Sequence, residues 1–262
     1  MKNPVSNQFY RVNHLDGLSA LDANIYQQSF PSHYHDTFQI TLTKQGVFKN
    51  KINNKLIHAF KNQISITHPK EVHATVCDEK TGHNFFTLYL PPTLLESKIT
   101  KNQSNPPLFK SVISDPVLAR LLNQMQLLLH QNSPQIDWLT WQLINRLVQH
   151  HQTSKEKADD TQTLLDLSQL PLNQSKFNLD NWAQQFNLDK FKFMRLFKSQ
   201  TGMTPNQYSI FQRIKKSQNL LAQGIDLTDC ALEFGFYDLP HFHKHFKNIT
   251  GVTPSTYQQA YC

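Results

Sequence analysis

Two periodicities divide the chain. In residues 1–100, short runs at 38–43, 47–52, 63–67 and 85–90 are rich in Ile, Phe, Thr and Val. Gly46, Asn53-Asn54 and Pro69 punctuate them, which predicts a small antiparallel sheet system, a barrel or a sandwich. From 116 to 150 the spacing changes to three and four. Leu118, Leu121, Leu122, Met125, Leu128 and Leu129 form one stripe, and Trp138, Trp141, Leu143, Ile144 and Leu147 follow after Pro134. Two amphipathic helices are expected there. Packing on the sheet and a dimerisation hairpin both fit this segment. Residues 153–163 are polar and lack large apolar side chains, as a linker would. Beyond them the pattern is helical to the end.

The most informative feature is an internal repeat. Phe193, Phe197-Lys198, Thr201-Gly202, Thr204-Pro205 and Tyr208 recur 49 positions later as Phe242, Phe246-Lys247, Thr250-Gly251, Thr253-Pro254 and Tyr257. Upstream, Ala183, Phe186 and Leu188 match Ala231, Phe234 and Phe236 at an offset of 48. A duplicated unit is the economical explanation. Each copy reads as helix, tight turn, helix. Asn178 caps 179–186, Asn187-Leu188 turns, and Asp189 caps a helix towards Gln200. In the second copy Asp226 precedes 227–234, Gly235-Phe236 turns, and Asp238 with Pro240 opens the next helix. Thr-Gly closes each second helix, Thr-Pro opens the following one, and a long helix over 205–222 joins the copies.

This is helix-turn-helix anatomy. Phe193, Leu196 and Phe197 share one face of the first reading helix, while Phe191, Met194, Arg195 and Lys198 lie on the other, with Lys190 and Lys192 beside it. In the later helix Phe242 and Phe246 point inward, and Leu239, His243, Lys244 and Lys247 outward. Hydrogen-bonding and basic groups on an exposed face suit a major groove. Arg195 fits a guanine edge; Lys198, Lys244 and Lys247 fit phosphate, which positions without reading. An ordinary helical bundle with solvated basic faces is the bland alternative, and the matched second copy weighs against it. The joining helix would set two reading helices about 34 Å apart on one face of a duplex.

The stretch from about Phe177 to Tyr257 resembles the DNA-binding module of the AraC/XylS family, most specifically at ALEFGFYDLPHFHKHFKNITGVTPSTY, residues 231–257. By position, the resemblance implies base-proximal roles for Phe191, Met194, Arg195, Leu239, Pro240, His243 and Lys244. Leu239 and Pro240 stand where members of the family often have polar residues, and His243 and His245 are unusual there.

In the N-terminal part, His33-x-His35, Gln39 and Gly46 resemble the first cupin motif, and Pro69-Lys70-Glu71-Val72-His73 a shortened second one. His33 and His35 share a strand face, and with His73 they make a three-histidine candidate for Zn²⁺ or Fe²⁺. Gln39 stands where cupins carry Glu, which removes a charged ligand, so no metal or other cofactor is assigned. The resemblance implies instead a small-molecule effector, with His33, His35, Gln39, Glu71 and His73 as its polar lining and Phe38, Phe48, Phe86 and Tyr89 as apolar walls. Histidines that merely satisfy turns and sheet edges are the alternative.

Composition adds limits. The net charge is +7, yet from Asp160 onward Lys and Arg exceed Asp and Glu by only ten to eight, so the case for DNA rests on where the charges sit. Three scattered cysteines, Cys77, Cys230 and Cys262, build no disulfide framework and fit a reducing cytoplasm. No run of about 18 apolar residues supports a membrane span, and the polar start lacks the core of a secretory signal. The expected architecture is α+β: a cupin-like β-barrel or sandwich with a helical hairpin at 115–151 (together 1–152), the linker 153–163, and an all-α domain, 164–262, of two helix-turn-helix units. The expected function is an effector-responsive, sequence-specific transcription regulator and not an enzyme. Its partners are double-stranded promoter DNA, a small molecule, a second copy of the chain, and RNA polymerase if it activates, with the nucleoid as its place of work. The alternative is a metal-dependent cupin dioxygenase or isomerase with a DNA-binding tail, which Gln39 disfavours. A methyl-accepting repair protein would need an activated cysteine, and Cys77 has no such setting.

Overall fold

The computed structural model describes residues 7–26, 29–52, 55–77, 82–96, 107–131, 133–153, 165–172 and 177–261. By their internal contacts they form two units, residues 1–29 with 34–156, and residues 30–33 with 157–262. Apart from Thr153, the expected linker lies outside the described residues.

The strands are β1 (Gln8–Val12), β2 (Leu18–Tyr26), β3 (Phe30–His33), β4 (Phe38–Gln45), β5 (Phe48–Ile52), β6 (Lys55–Ala59), β7 (Ile64–Thr67), β8 (His73–Val76), β9 (His83–Leu90), β10 (Leu108–Phe109), β11 (Val112–Ile113) and β12 (Gln152–Thr153). The four runs legible in the sequence became β4, β5, β7 and β9. A six-stranded sheet runs β1-β2-β9-β4-β7-β11, a second sheet of the same unit runs β8-β5-β6, and β10 pairs with β12. The pairings β1–β2, β2–β9, β9–β4, β4–β7, β7–β11, β5–β6, β5–β8 and β10–β12 are antiparallel; in the larger sheet Gln39 stands beside Thr67 on one side and Tyr89 on the other.

Strand β4 is buried on both faces, so its alternation separates two different interiors. Phe38, Ile40 and Leu42 join one apolar core with Leu18, Ile64, Ile66, Phe86 and Leu88. That core is completed by α2 (Pro116–His130) and α3 (Ile136–His151), which follow the short α1 (Pro92–Glu96). Leu118, Leu122, Met125 and Leu129 of α2 and Leu139, Leu143, Ile144 and Leu147 of α3 are buried in it. Trp138 departs from the expected stripe. It is 64% exposed, because the buried face of α3 runs through Ile136, Leu139, Leu143 and Leu147. Asp115 starts α2, accepting from the backbone N–H of Val117 and Leu118, with Pro116 at the first helical position where no N–H is needed.

After a 3₁₀ turn at Leu167–Gln169 come α4 (Leu179–Gln185), α5 (Lys190–Thr201), α6 (Pro205–Leu221), α7 (Leu227–Glu233), α8 (Leu239–Thr250) and α9 (Pro254–Gln259). The predicted caps are in place: Asn178, Asp189, Asp226 and Asp238 each accept from backbone N–H groups one turn in. Asn187 (φ 53) and Gly235 (φ 66) take the left-handed conformation that each tight turn needs. Gly202 and Gly251 do so at the C-caps of α5 and α8. The duplication extends to individual hydrogen bonds. Thr201 Oγ1 donates to Phe197 O at 2.7 Å and Thr250 Oγ1 to Phe246 O at 2.9 Å, and each hydroxyl accepts from the N–H two residues on. Among the described residues no helix is long and apolar enough to cross a membrane.

Candidate nucleic-acid interface and effector site

Helix α5 holds its place through Phe193 and Phe197, both fully buried, with Trp182 of α4 and Tyr208 of α6 against Phe197 at ring distances of 6.1 and 5.3 Å. Leu196, expected on the same face, is half-buried. That anchoring leaves Lys190, Phe191, Lys192, Arg195 and Lys198 exposed and Met194 half-buried. Lys190 Nζ lies 5.6 Å from the Phe191 ring centre. The cap carboxylate of Asp189 is held below the usual carboxylate range by the N–H of Lys192, despite some desolvation, with the N–H of Phe191 and the charges of Arg195 and Lys192 adding to it. An exposed cationic face therefore sits beside one acid that is occupied by capping.

Helix α8 is anchored the same way by Phe242 and Phe246. Pro240, Lys244 and Lys247 are exposed, and Leu239 and His243 are half-buried. His241 and His245, one turn apart, place their Nε2 atoms 2.9 Å from each other. Burial first, then the charges of His241, Lys244 and Arg213, push the His245 imidazole below its ordinary value. Sequence reasoning missed Arg213. From α6 it donates Nε to Phe234 O and lays its guanidinium over the Phe236 ring at 4.1 Å. It thereby clamps the tight turn that aims α8. An arginine in the middle of a helix carries no local signal for such a contact.

In the β-rich unit the two sheets meet through Asn50, whose Nδ2 donates to Thr67 Oγ1 at 3.1 Å, and through the Phe48 and Phe85 rings, 5.2 Å apart. Of the expected effector residues, Gln39 and His73 are buried, and His35 is half-buried with its ring 5.4 Å from His73 and 4.9 Å from Tyr89. His73 Nδ1 donates to Glu71 O at 3.0 Å and His33 Nδ1 to Pro31 O at 2.6 Å, which turns the lone pair of each ring to Nε2. His35 and His73 stand together in this unit, but the further polar group beside them in the sequence motif, Gln39, is an uncharged amide.

One expectation needs correction. Phe38 and Phe86 belong to the core shared with α2 and α3, not to the interior between the sheets, because both fall on the opposite pleat from Gln39 and Thr87. Glu71 offers its backbone oxygen to His73, while its carboxylate accepts from His68 N at 3.0 Å. The interior also holds polar residues that the motif search passed over, namely Thr41, Asn50, Ser65, Thr67, Thr75 and Thr87, all buried. Their signal was present in the alternation of Ile64-Ser65-Ile66-Thr67 and Gln39-x-Thr41-x-Thr43. Elsewhere, a groove of about 560 Å³ lies along α2, lined by Lys61, Gln63, Pro116, Arg120 and Leu127 among others.

A family model described as an AraC-like ligand binding domain matches residues 17–157, and one described as a helix-turn-helix domain matches residues 182–260. The chain is 23% identical over 227 residues to the uncharacterized HTH-type transcriptional regulator YbfI of Bacillus subtilis (82% of each chain). It is 26% identical over 254 residues to the HTH-type transcriptional activator RhaR of Escherichia coli (88% of each). Among solved structures it shares its fold with unsaturated fatty acid bound ToxT from Vibrio cholerae, at a TM-score of 0.50 and 13% identity over 98% of this chain and 96% of that one.

Proposed function

Because the chain belongs to the AraC family of transcription regulators, with a ligand-binding domain ahead of a helix-turn-helix domain, we propose that it reads one operator with both α5 and α8, and that a small effector between its sheets sets how it does so. The observation that carries this reading is the pair of matched helices, each capped by an aspartate, anchored by two phenylalanines and basic on its exposed side. Arg195 reads a base edge, with Phe191 and Met194 offering apolar contact to neighbouring bases. Leu239, Pro240 and His243 make the corresponding, largely apolar contacts of α8. Lys190, Lys198, Lys244 and Lys247 engage phosphate and set the register. Helix α6, 17 residues and so about 25 Å long, separates the two readers.

The effector reading rests on Gln39, His35 and His73, together with the buried polar residues around them. With an amide at position 39 we assign no metal and no enzymatic step. Working on promoter DNA places the protein at the nucleoid. Val117 and Leu127 of α2 and Trp138 of α3, 44%, 60% and 64% exposed, support pairing with a second copy, and contact with RNA polymerase follows if the protein activates.

Selection of the purified protein against random duplex DNA, followed by sequencing, tests the reading. Two short enriched elements about ten base pairs apart are expected. A single element, or no enrichment, rejects the two-headed reader.

A further inference from the structure

The internal repeat singles out two side chains that the duplicated fold does not require. His241 and His245 of α8 stand 49 positions after Lys192 and Leu196 of α5. Both helices are nonetheless anchored alike, by Phe193 and Phe197 in one and by Phe242 and Phe246 in the other, all fully buried. Nor does the reading face claim the two histidines. Successive helical residues turn by about 100°, which sets His241 and His245 together on a flank of α8, away from His243.

On that flank the two rings are held as a pair. Their Nε2 atoms are 2.9 Å apart and their planes stand at 85°. The Phe236 ring packs against both, its centre 5.7 Å from that of His241 and 6.2 Å from that of His245, and Arg213 covers Phe236 at 4.1 Å. A proton on one ring, donated to the other, accounts for the contact. A metal ion accounts for it equally. Ring nitrogens 2.9 Å apart, each about 2.05 Å from an ion, subtend about 90° there. That is the cis angle of square-planar and octahedral centres, which suit Cu²⁺ and Ni²⁺; tetrahedral Zn²⁺ needs its nitrogens about 3.3 Å apart. Ligation also needs neutral rings with Nε2 unprotonated, and an ordinary imidazole is mostly neutral at pH 7. His241 Nδ1 has no hydrogen-bond partner among the described residues, so no bond behind the ring ties its proton to either nitrogen.

We propose that His241 and His245 bind one divalent transition-metal ion of the Cu²⁺ or Ni²⁺ kind through their Nε2 atoms. Two histidines four positions apart on one helix face have the spacing of a metal chelate. On binding, the proton between the rings moves to Nδ1 of the ring that carried it, and no electron is transferred. Water fills the remaining positions, so the site is weaker than a closed structural centre. Lys244 and Arg213 are cationic neighbours of the pair, so the ion is held by ligand bonds and not by a surplus of negative charge. Mg²⁺ and Ca²⁺, which take oxygen ligands, are refused. The proposal does not rest on the effector reading of the β-rich unit.

The test is calorimetric titration of the chelator-treated full chain with Ni²⁺, Cu²⁺ and Mg²⁺ at neutral pH, and the repeat supplies the variants. His241→Lys and His245→Leu each install the residue that the first copy carries at the matching position. The wild type is expected to bind Cu²⁺ more tightly than Ni²⁺ and to ignore Mg²⁺. Each variant is expected to weaken one equivalent of Ni²⁺ and of Cu²⁺ at least about tenfold. With one equivalent of Cu²⁺, the electron paramagnetic resonance spectrum of the wild type is expected to show coupling to two imidazole nitrogens, and the variants to lose it. Should either variant lose its helical circular dichroism, His241→Gln or His245→Gln, which keeps a polar side chain, replaces it with the same expectation. A wild type that takes up neither Ni²⁺ nor Cu²⁺, or an equal response to Mg²⁺, overturns the proposal. So do titrations unchanged in both variants, which place any bound metal elsewhere, and weakening confined to one folded variant, which leaves a single histidine and no chelate.

Discussion

Arg146 reaches from α3 to Asp115, the cap of α2, and its Nε donates to Asp115 Oδ2 at 2.7 Å. His151 Nε2 meets the same oxygen at 2.7 Å, and the carboxylate is almost wholly buried. One side chain thus caps one helix and ties down the other. Replacing Asp115 with Ala removes the cap and leaves Arg146 partly buried without its partner. A loss of about 3 kcal/mol is expected in urea denaturation; a loss within about 0.5 kcal/mol would mean the hairpin is held by its apolar face alone.

The same carboxylate has a pH signature. Desolvation raises its pKa, but the bonds from Arg146, His151, Leu118 and Val117 outweigh it and hold the group well below the usual carboxylate range. A depressed folded pKa gives stability that is fully present above the unfolded value, about 4, and is lost as pH falls towards the folded one. Asp115→Asn is therefore expected to be less stable at neutral pH and to draw progressively nearer the wild type as pH falls below about 4. Parallel stability curves down to acid pH would reject this.

His83 titrates in a higher window. Burial pushes its imidazole down to about 4, and the Cys77 thiol lies 3.2 Å from its Nδ1. The unfolded chain takes up this proton more readily, so stability is lost as pH falls from about 6.5 to 4, by about 3 kcal/mol in all. His83→Phe, which keeps an aromatic ring against Phe48 and Phe85, should remove its share of the slope in that window and leave that of His33, which burial likewise pushes down to about 4. An unchanged slope would show that His83 is not the group that titrates.

On DNA, Arg195→Ala and Lys198→Ala should fail differently. The first should cost about 1–3 kcal/mol at one base position and relax preference there. The second should weaken all sequences alike and reduce the salt slope by about one ion. Binding isotherms on matched and mutated operators at several salt concentrations separate the two, and identical behaviour would reject the assigned roles.

For assembly, Leu127→Asp places a charge on the exposed side of α2. If that side pairs two copies, sedimentation should show a dimer for the wild type and a monomer for the variant. A wild-type monomer at all concentrations removes the dimer.

The helical unit was legible from the sequence because its signals are local. Asn178, Asp189, Asp226 and Asp238 cap by reaching N–H groups one turn away, and Gly202 and Gly251 end helices by a conformation of their own backbone. The 49-residue repeat then supplied a second copy against which to check the first. What the chain alone could not decide lies where contacts are distant. Both faces of β4 are buried, so alternation told that Phe38 and Gln39 point to opposite sides but not which side joins the apolar core. Only the closure of the second sheet, with Asn50 bonded to Thr67, and the docking of α2 and α3 on Phe38 and Phe86 settle it. The same holds for Arg213 and Arg146, whose partners, Phe236 and Asp115, are fixed by packing between helices rather than by any pattern along the chain.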